Sequence, residues 1–332
     1  MTRCRLARLA AAVAFAVAAP AAVTAEPLEL KAFIAPPPTA AMANTYDRAF
    51  KRWVEKVNGA TAGQLRLVPV DDIDAPPNKA AAVLGRGGVD VLHSPARYYL
   101  GAVPEADALV ACNRSVEEVR ANGGLDLLNE IWHERLNAHI LAWFESNITY
   151  SIYLTRRPSI AEGRLHLGGL TIRANATLRD FFSALGADLT ATSASQIAAK
   201  LEKGVLQGFG FPTIAVSGLG VLGHVKYRLE PSFYRGNNLL LVNLDTWQRL
   251  PVRLRGTLAQ FAIDAEGYSR DFIAATADRE ARAQAAAGVE SIVLDGAARR
   301  DFLARANDIV WERLAERAPE KVDSLKEKFY AR

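Results

Sequence analysis

One short run in this chain has the residue types for recognition chemistry. Gly168-Gly169-Leu170-Thr171-Ile172-Arg173 reads as an apolar strand that ends in an arginine. A guanidinium at the C-terminal edge of a strand can grip a carboxylate through two parallel, charge-assisted hydrogen bonds. Reactive groups are sparse elsewhere. The five histidines, His93, His133, His139, His166 and His224, show no metal-ligand spacing with another histidine, a cysteine or a carboxylate. No nucleophile elbow, Ser-x-x-Lys pair or phosphate-binding loop occurs. Glu145, Glu202 and Asp245 stand apart, with nothing to pair them as acid and base, and read as solvated or structural. Neither a metal nor a cofactor is expected, and neither is enzymatic activity. His133 and His139 are expected on or near a helix surface, and His93 at a strand end where it could line a cleft. Gly218-Leu219-Gly220-Val221-Leu222-Gly223 matches the dinucleotide fingerprint letter for letter. Pro231 follows too soon for the long helix that would hold a pyrophosphate, so a Gly-rich loop is expected.

The first 25 residues read as a secretory signal peptide. Arg3, Arg5 and Arg8 form a positive start, residues 9–19 an apolar stretch, and Val23-Thr24-Ala25 a small-residue cleavage site before Glu26. The apolar stretch is shorter than the roughly 20 residues that span a bilayer. Three of the charges behind the net +4 lie in this segment and no acid does, so the exported chain would carry about +1. No basic run with interleaved aromatics follows, so nucleic acid is not an expected partner. Cys4 would leave with the signal, and Cys112, alone, reads as a small buried hydrophobe.

The elements that must position the arginine follow from periodicity. Residues 28–34 alternate as a strand, and Tyr46, Phe50, Trp53, Val54 and Val57 make one face of a helix. Strands at 64–70 and 89–92 flank a short helix at 79–84. This strand-helix rhythm predicts a parallel α/β sheet. After a helix at 125–136 and strands at 139–144 and 150–154, a second α/β unit begins. It holds the arginine strand, helices at 177–185 and 195–203, and a strand at 205–211. Residues 239–243 form another apolar strand that suggests a return to the first sheet. Helical patterns at 253–285 and 297–329 fill the C-terminal part. The fold class is α/β.

Several pieces stand together in order along the chain. Gly87-Gly88-Val89-Asp90 precedes Ala96-Arg97-Tyr98-Tyr99. Gly169-Leu170-Thr171-Ile172-Arg173 precedes Ala184-Leu185-Gly186-Ala187. Lys203-Gly204-Val205-Leu206-Gln207-Gly208 leads to Phe211-Pro212, and Leu241-Val242-Asn243 to Trp247 and Leu250-Pro251. In this order the chain resembles the solute-binding proteins of the tripartite ATP-independent periplasmic (TRAP) transporters. The resemblance implies a periplasmic-binding-protein-like fold: two α/β lobes joined by crossing strands, with a long helix spanning both and a ligand closed between them. The implied divisions are lobe I at 26–148, lobe II at 149–236, a return to lobe I at 237–275, and C-terminal helices at 276–332 packing on both lobes.

The resemblance also implies a small-molecule carboxylate ligand held by Arg173, a periplasmic location, and the membrane permease subunits of a TRAP transporter as partners. Ala35, Ser94 and Arg97 match positions that face the ligand in relatives. Arg97 is left open between a helix-surface residue and a group that answers a second anion. Trp143 and Glu145 near the crossover are further candidates. Three positions depart from the family pattern. Phe211 stands where binders of polar sugar acids carry asparagine. Tyr150 and Ser151 occupy a region where many relatives have a second arginine. Gln207 replaces an expected aspartate. Phe209 is assigned to the core and Phe211 to the cleft, so the ligand is expected to carry an apolar or aromatic body. A sensory binding module and a secreted enzyme acting on a carboxylic acid are the competing classes.

Overall fold

The computed structural model describes residues 27–35 and 46–331, so the expected signal segment and the prolines at 36–38 lie outside the described residues. The first sheet contains β1 (Leu28–Ile34), β2 (Leu65–Pro69), β3 (Val91–Pro95), β4 (Ala138–Phe144) and the late strand β12 (Asn238–Asn243), in the order β2-β1-β3-β12-β4. The second contains β5 (Tyr150–Leu154), β8 (Thr171–Arg173), β9 (Asp188–Thr190), β10 (Gly208–Pro212), β11 (Tyr227–Glu230) and β13 (Glu290–Val293), in the order β13-β11-β5-β10-β8-β9. A small hairpin of β6 (Ser159–Ala161) and β7 (Arg164–His166) stands beside it.

The parallel pairing of β1 with β2 and with β3 follows from the helices between them. β3 and β12 are buried along their whole length, which is why β12 reads as an unbroken apolar run instead of alternating. It slots antiparallel between β3 and β4. The helix Arg48–Ala60 turns Phe50, Trp53, Val54 and Val57 inward, and the Trp53 indole donates to the Leu258 carbonyl at 3.2 Å.

The chain crosses between the sheets at residues 145–149 and again at 233–238. The helix Val252–Ala286 has 35 residues, roughly 50 Å of rise, and spans both lobes. Near its middle, the Glu266 carboxylate accepts the Trp143 amide at 2.6 Å, and the Ser269 hydroxyl accepts the Glu145 amide at 2.8 Å. Three turns further on, Glu280 accepts the Ser217 amide of the second lobe at 3.0 Å. Among the described residues no helix is long and apolar enough to cross a membrane.

Two expectations need correction. The helical pattern at 297–329 is two helices, Gly296–Arg317 and Val322–Phe329. Pro319 forces the break, because the ring of a proline disfavours helical geometry in the residue before it, and Ala318 takes φ −145°. The C-terminal part is also not purely helical, since Glu290–Val293 pairs in parallel with β11. Its Glu-Ser-Ile-Val sequence is too short for periodicity to register. His139 lies within β4 and, as expected, near a helix surface: its ring stacks on Trp247 with centroids 4.5 Å apart, and its Nδ1 lies 2.9 Å from Nε2 of His133 in the helix Gly124–Leu136.

Candidate functional site

β8 is only three residues long, and its parallel pairing with β10 puts Arg173 opposite Phe209. The Arg173 Nε donates to the Thr192 carbonyl at 3.1 Å, and Nη1 reaches the Gly210 carbonyl at 3.4 Å. These contacts aim the guanidinium without neutralising it. No carboxylate among the described residues pairs with it. Burial lowers its pKa from the ordinary arginine value, opposed by Tyr150. Arg173 is therefore a half-buried cation without a carboxylate beside it among the described residues. Gln207, where an aspartate was expected, fixes the neighbouring turn: its Oε1 accepts the Thr171 amide at 2.9 Å and its Nε2 donates to the Gly204 carbonyl at 2.7 Å.

Arg173 opens onto a cavity of about 530 Å³ bounded by both lobes. Tyr150, Phe211 and Pro212 supply the second-lobe wall, and Tyr46, Arg97 and Tyr98 the first-lobe wall. Ile148, Gly236 and Asn238 come from the two crossing segments. Of the seven residues singled out in the sequence, four thus line the cavity: Arg173, Phe211, Arg97 and Tyr150. The other three lie off it. Ser94 is wholly buried, its hydroxyl bonded to that of Tyr99. Ser151 donates to the Leu229 carbonyl at 2.6 Å, on the opposite side of β5 from Tyr150 as strand alternation requires. Ala35 has no exposed surface, and its amide donates to the His93 carbonyl at 2.9 Å.

His93 also misses the cleft. It is fully buried, stacked on Tyr46 with centroids 4.6 Å apart, and its Nε2 lies 3.2 Å from Glu145 Oε2. Glu145 is neither isolated nor solvated, since Asn238 Nδ2 donates to the same oxygen at 3.0 Å. Trp143 is likewise buried, its indole donating to the Gly236 carbonyl at 2.7 Å. Phe209 is core, stacked on Tyr153, with the Phe211 ring edge-on to it at 6.3 Å. The glycines at 218–223 form a short 3-10 turn and further turns, with no long helix after them. No cluster of three or more metal-ligating side chains occurs among the described residues.

A family model for bacterial extracellular solute-binding protein, family 7, matches residues 39–317. The chain belongs to that family. Comparison with solved structures finds the same fold in several proteins. A TRAP periplasmic solute-binding protein from Rhodobacter sphaeroides, in an apo open state, is 16% identical with a TM-score of 0.74, over 90% of this chain and 99% of that one. A Bordetella pertussis extracytoplasmic solute receptor binding pyroglutamic acid is 17% identical with a TM-score of 0.70, over 91% and 99% of the two chains. A marine-metagenome TRAP solute-binding protein specific for aromatic acid ligands is 17% identical with a TM-score of 0.67, over 92% and 100%.

Family 7 resemblance did not point to every cavity residue. Tyr46 reads in the sequence as one more apolar position of a helix stripe, yet its buried hydroxyl has no hydrogen-bond partner among the described residues. Arg313 sits in a C-terminal helix, where an arginine normally signals only a solvated face. Here its Nε and Nη2 bond both oxygens of Asp107 at 2.8 and 2.9 Å while Nη1 reaches Asp180 at 2.9 Å. Nothing in the local pattern around residue 313 carried that information.

Proposed function

We propose that this protein is an extracytoplasmic solute receptor that captures a small organic acid between its lobes. Arg173 holds the carboxylate, and the loaded receptor delivers it to the membrane permease subunits of a TRAP-type transporter. The observation that carries this reading is the half-buried Arg173 guanidinium, oriented by two carbonyls and with no acid partner among the described residues. An arriving carboxylate supplies the missing partner. Closing the lobes around the pair then removes water and strengthens the bond. Ligand shifts the lobes toward the closed state because only that state offers contacts from both sides. The role is binding, with no chemical step.

Phe211, Tyr150, Ile148 and Tyr98 give the walls an apolar and aromatic character, which suits an acid with an apolar or aromatic body. The relatives that bind pyroglutamic acid and aromatic acids support a carboxylate of this size range. The expected signal peptide and the family support a periplasmic location. The test is a thermal-shift screen of aliphatic and aromatic acids beside their amides. Acids are expected to raise the melting temperature by mass action and amides to leave it unchanged. Arg173→Ala is expected to weaken the best acid by about 1.5–3 kcal/mol, the range for a hydrogen bond to a charged group. Unchanged affinity in that variant, or shifts with the amides alone, would remove Arg173 from the site.

A further inference from the structure

We infer that the C-terminal helix Gly296–Arg317 carries a two-armed ion-pair latch between the lobes, with Arg313 anchored to Asp107 and releasably bound to Asp180. The latch governs how the lobes move and is independent of which solute the cleft takes.

The helix packs on both lobes. Near its start, Phe302 lies against Phe181 with centroids 5.2 Å apart, and Arg305 Nη1 donates to the Ala184 carbonyl at 3.3 Å. Phe181 and Ala184 belong to the helix Ala176–Ala184, between β8 and β9 of the second lobe. Near its end the same helix meets Asp107–Val110, a single turn that stands between β3 and β4 of the first lobe. There one guanidinium is shared between the lobes. Arg313 Nε and Nη2 hold both oxygens of Asp107 at 2.8 and 2.9 Å, while Nη1 reaches Asp180 in the second lobe at 2.9 Å.

The two arms are unequal. Asp107 is fully buried and held twice, so losing Arg313 would strand a charge away from water. The Asp180 side chain is 48% exposed and accepts a single bond, so water can replace Arg313 there at little cost. A change of lobe angle that separates the two aspartates must break one arm, and the exposed arm yields first. Tyr234 supplies an independent observation. It stands on the second crossing segment at φ +52°, a left-handed backbone that persists for such a residue only where packing holds it. Its hydroxyl is buried and has no partner among the described residues. Burial pushes that phenol well above its usual range; the Arg313 charge opposes this, and the Asp107 and Asp180 charges add to it. The latch therefore stands beside the segment that must turn when the lobes move. It holds the present lobe arrangement through one arm that salt can screen.

Small-angle X-ray scattering of the ligand-free exported chain tests this, with Asp180→Ala and Asp107→Ala as variants. Raising salt from about 0.01 to 1 M shortens the screening length from roughly 30 to 3 Å. Across that range the wild-type radius of gyration is expected to change as the Asp180 arm releases. Asp180→Ala should show the high-salt radius at every salt concentration, with a melting temperature within about 2 °C of wild type. Asp107→Ala should instead lower the melting temperature by roughly 5 °C or more, or prevent folding, because it strands the mostly buried Arg313. A wild-type radius that ignores salt, or an Asp180→Ala variant that keeps the wild-type salt response, would overturn the latch. So would equal losses of melting temperature in the two variants. None of these outcomes bears on Arg173, whose role fails only in the acid screen.

Discussion

Arg173 is a half-buried cation with no carboxylate partner among the described residues, and on the proposed function its neighbours set which acid fits. Phe211 is 4% exposed and presents a ring where a polar amide would suit a hydroxylated ligand. Phe211→Asn is expected to cost about tenfold or more in affinity for aromatic acids, from lost apolar burial, and to improve binding of hydroxylated ones. Competitive titration of the two ligand kinds measures the change. An unaltered preference would show that Phe211 packs within its lobe without touching ligand. Phe211 stood out in the sequence through the family resemblance, because binders of polar sugar acids carry asparagine at the position before Pro212. Tyr46 had no such signal, because a tyrosine in an amphipathic stripe reads as core until its hydroxyl is found without a partner.

At the scale of elements, the two crossing segments and the long helix meet in one place. Gly236 donates to the Ile148 carbonyl at 2.7 Å, and its own carbonyl accepts the Trp143 indole. A Cβ at this glycine would lie 2.5 Å from the Glu145 carbonyl oxygen and 3.0 Å from Ile148 Cβ. The clash is with backbone on the other crossing segment, so no side-chain rotation relieves it. Gly236→Ala is expected to destabilise the fold by about 1–3 kcal/mol, the cost of overpacking. Ligand affinity should fall as well, because Gly236 lines the cavity. Denaturant unfolding and titration of the same variant check both, and a variant with wild-type stability would mean the crossings part easily. The sequence marked these segments only as a break between two α/β units; the approach of residues 145 and 236 is a non-local contact without local periodicity.

For the whole molecule, stability should depend on pH through a group far from the cleft. His139 is pushed down to about 4 by burial, then by the positive charges of His133 and Arg255, and its Nδ1 lies 2.9 Å from His133 Nε2. The unfolded chain takes up this proton near pH 6.5, whereas the folded chain resists it until about pH 4. Below pH 6.5 the unfolded state binds more protons, so the contribution present above that pH is lost as pH falls toward 4. The melting temperature should decline across this window, and His139→Gln should flatten the decline relative to the parent. An identical pH profile in the variant would assign the loss to other groups.

Composition, periodicity and motif order by themselves determined that this chain is an α/β protein of two units with an arginine at a strand end. Each of those properties is local: a hydrophobic period, a glycine before a strand, an arginine after it. Tertiary structure alone decided which candidates share a cavity. β5 alternation turns Ser151 away from the cavity while Tyr150 lines it, and packing buries Ser94, Ala35 and His93 inside the first lobe. It also brought Arg313 from the C-terminal helix to Asp107 and Asp180, leaving Arg97 and Arg173 as partly buried cations on opposite lobes with no acid partner among the described residues. Charge pairing between distant segments depends on how the lobes meet. Only the folded chain reveals which arginines are paired with an acid among the described residues.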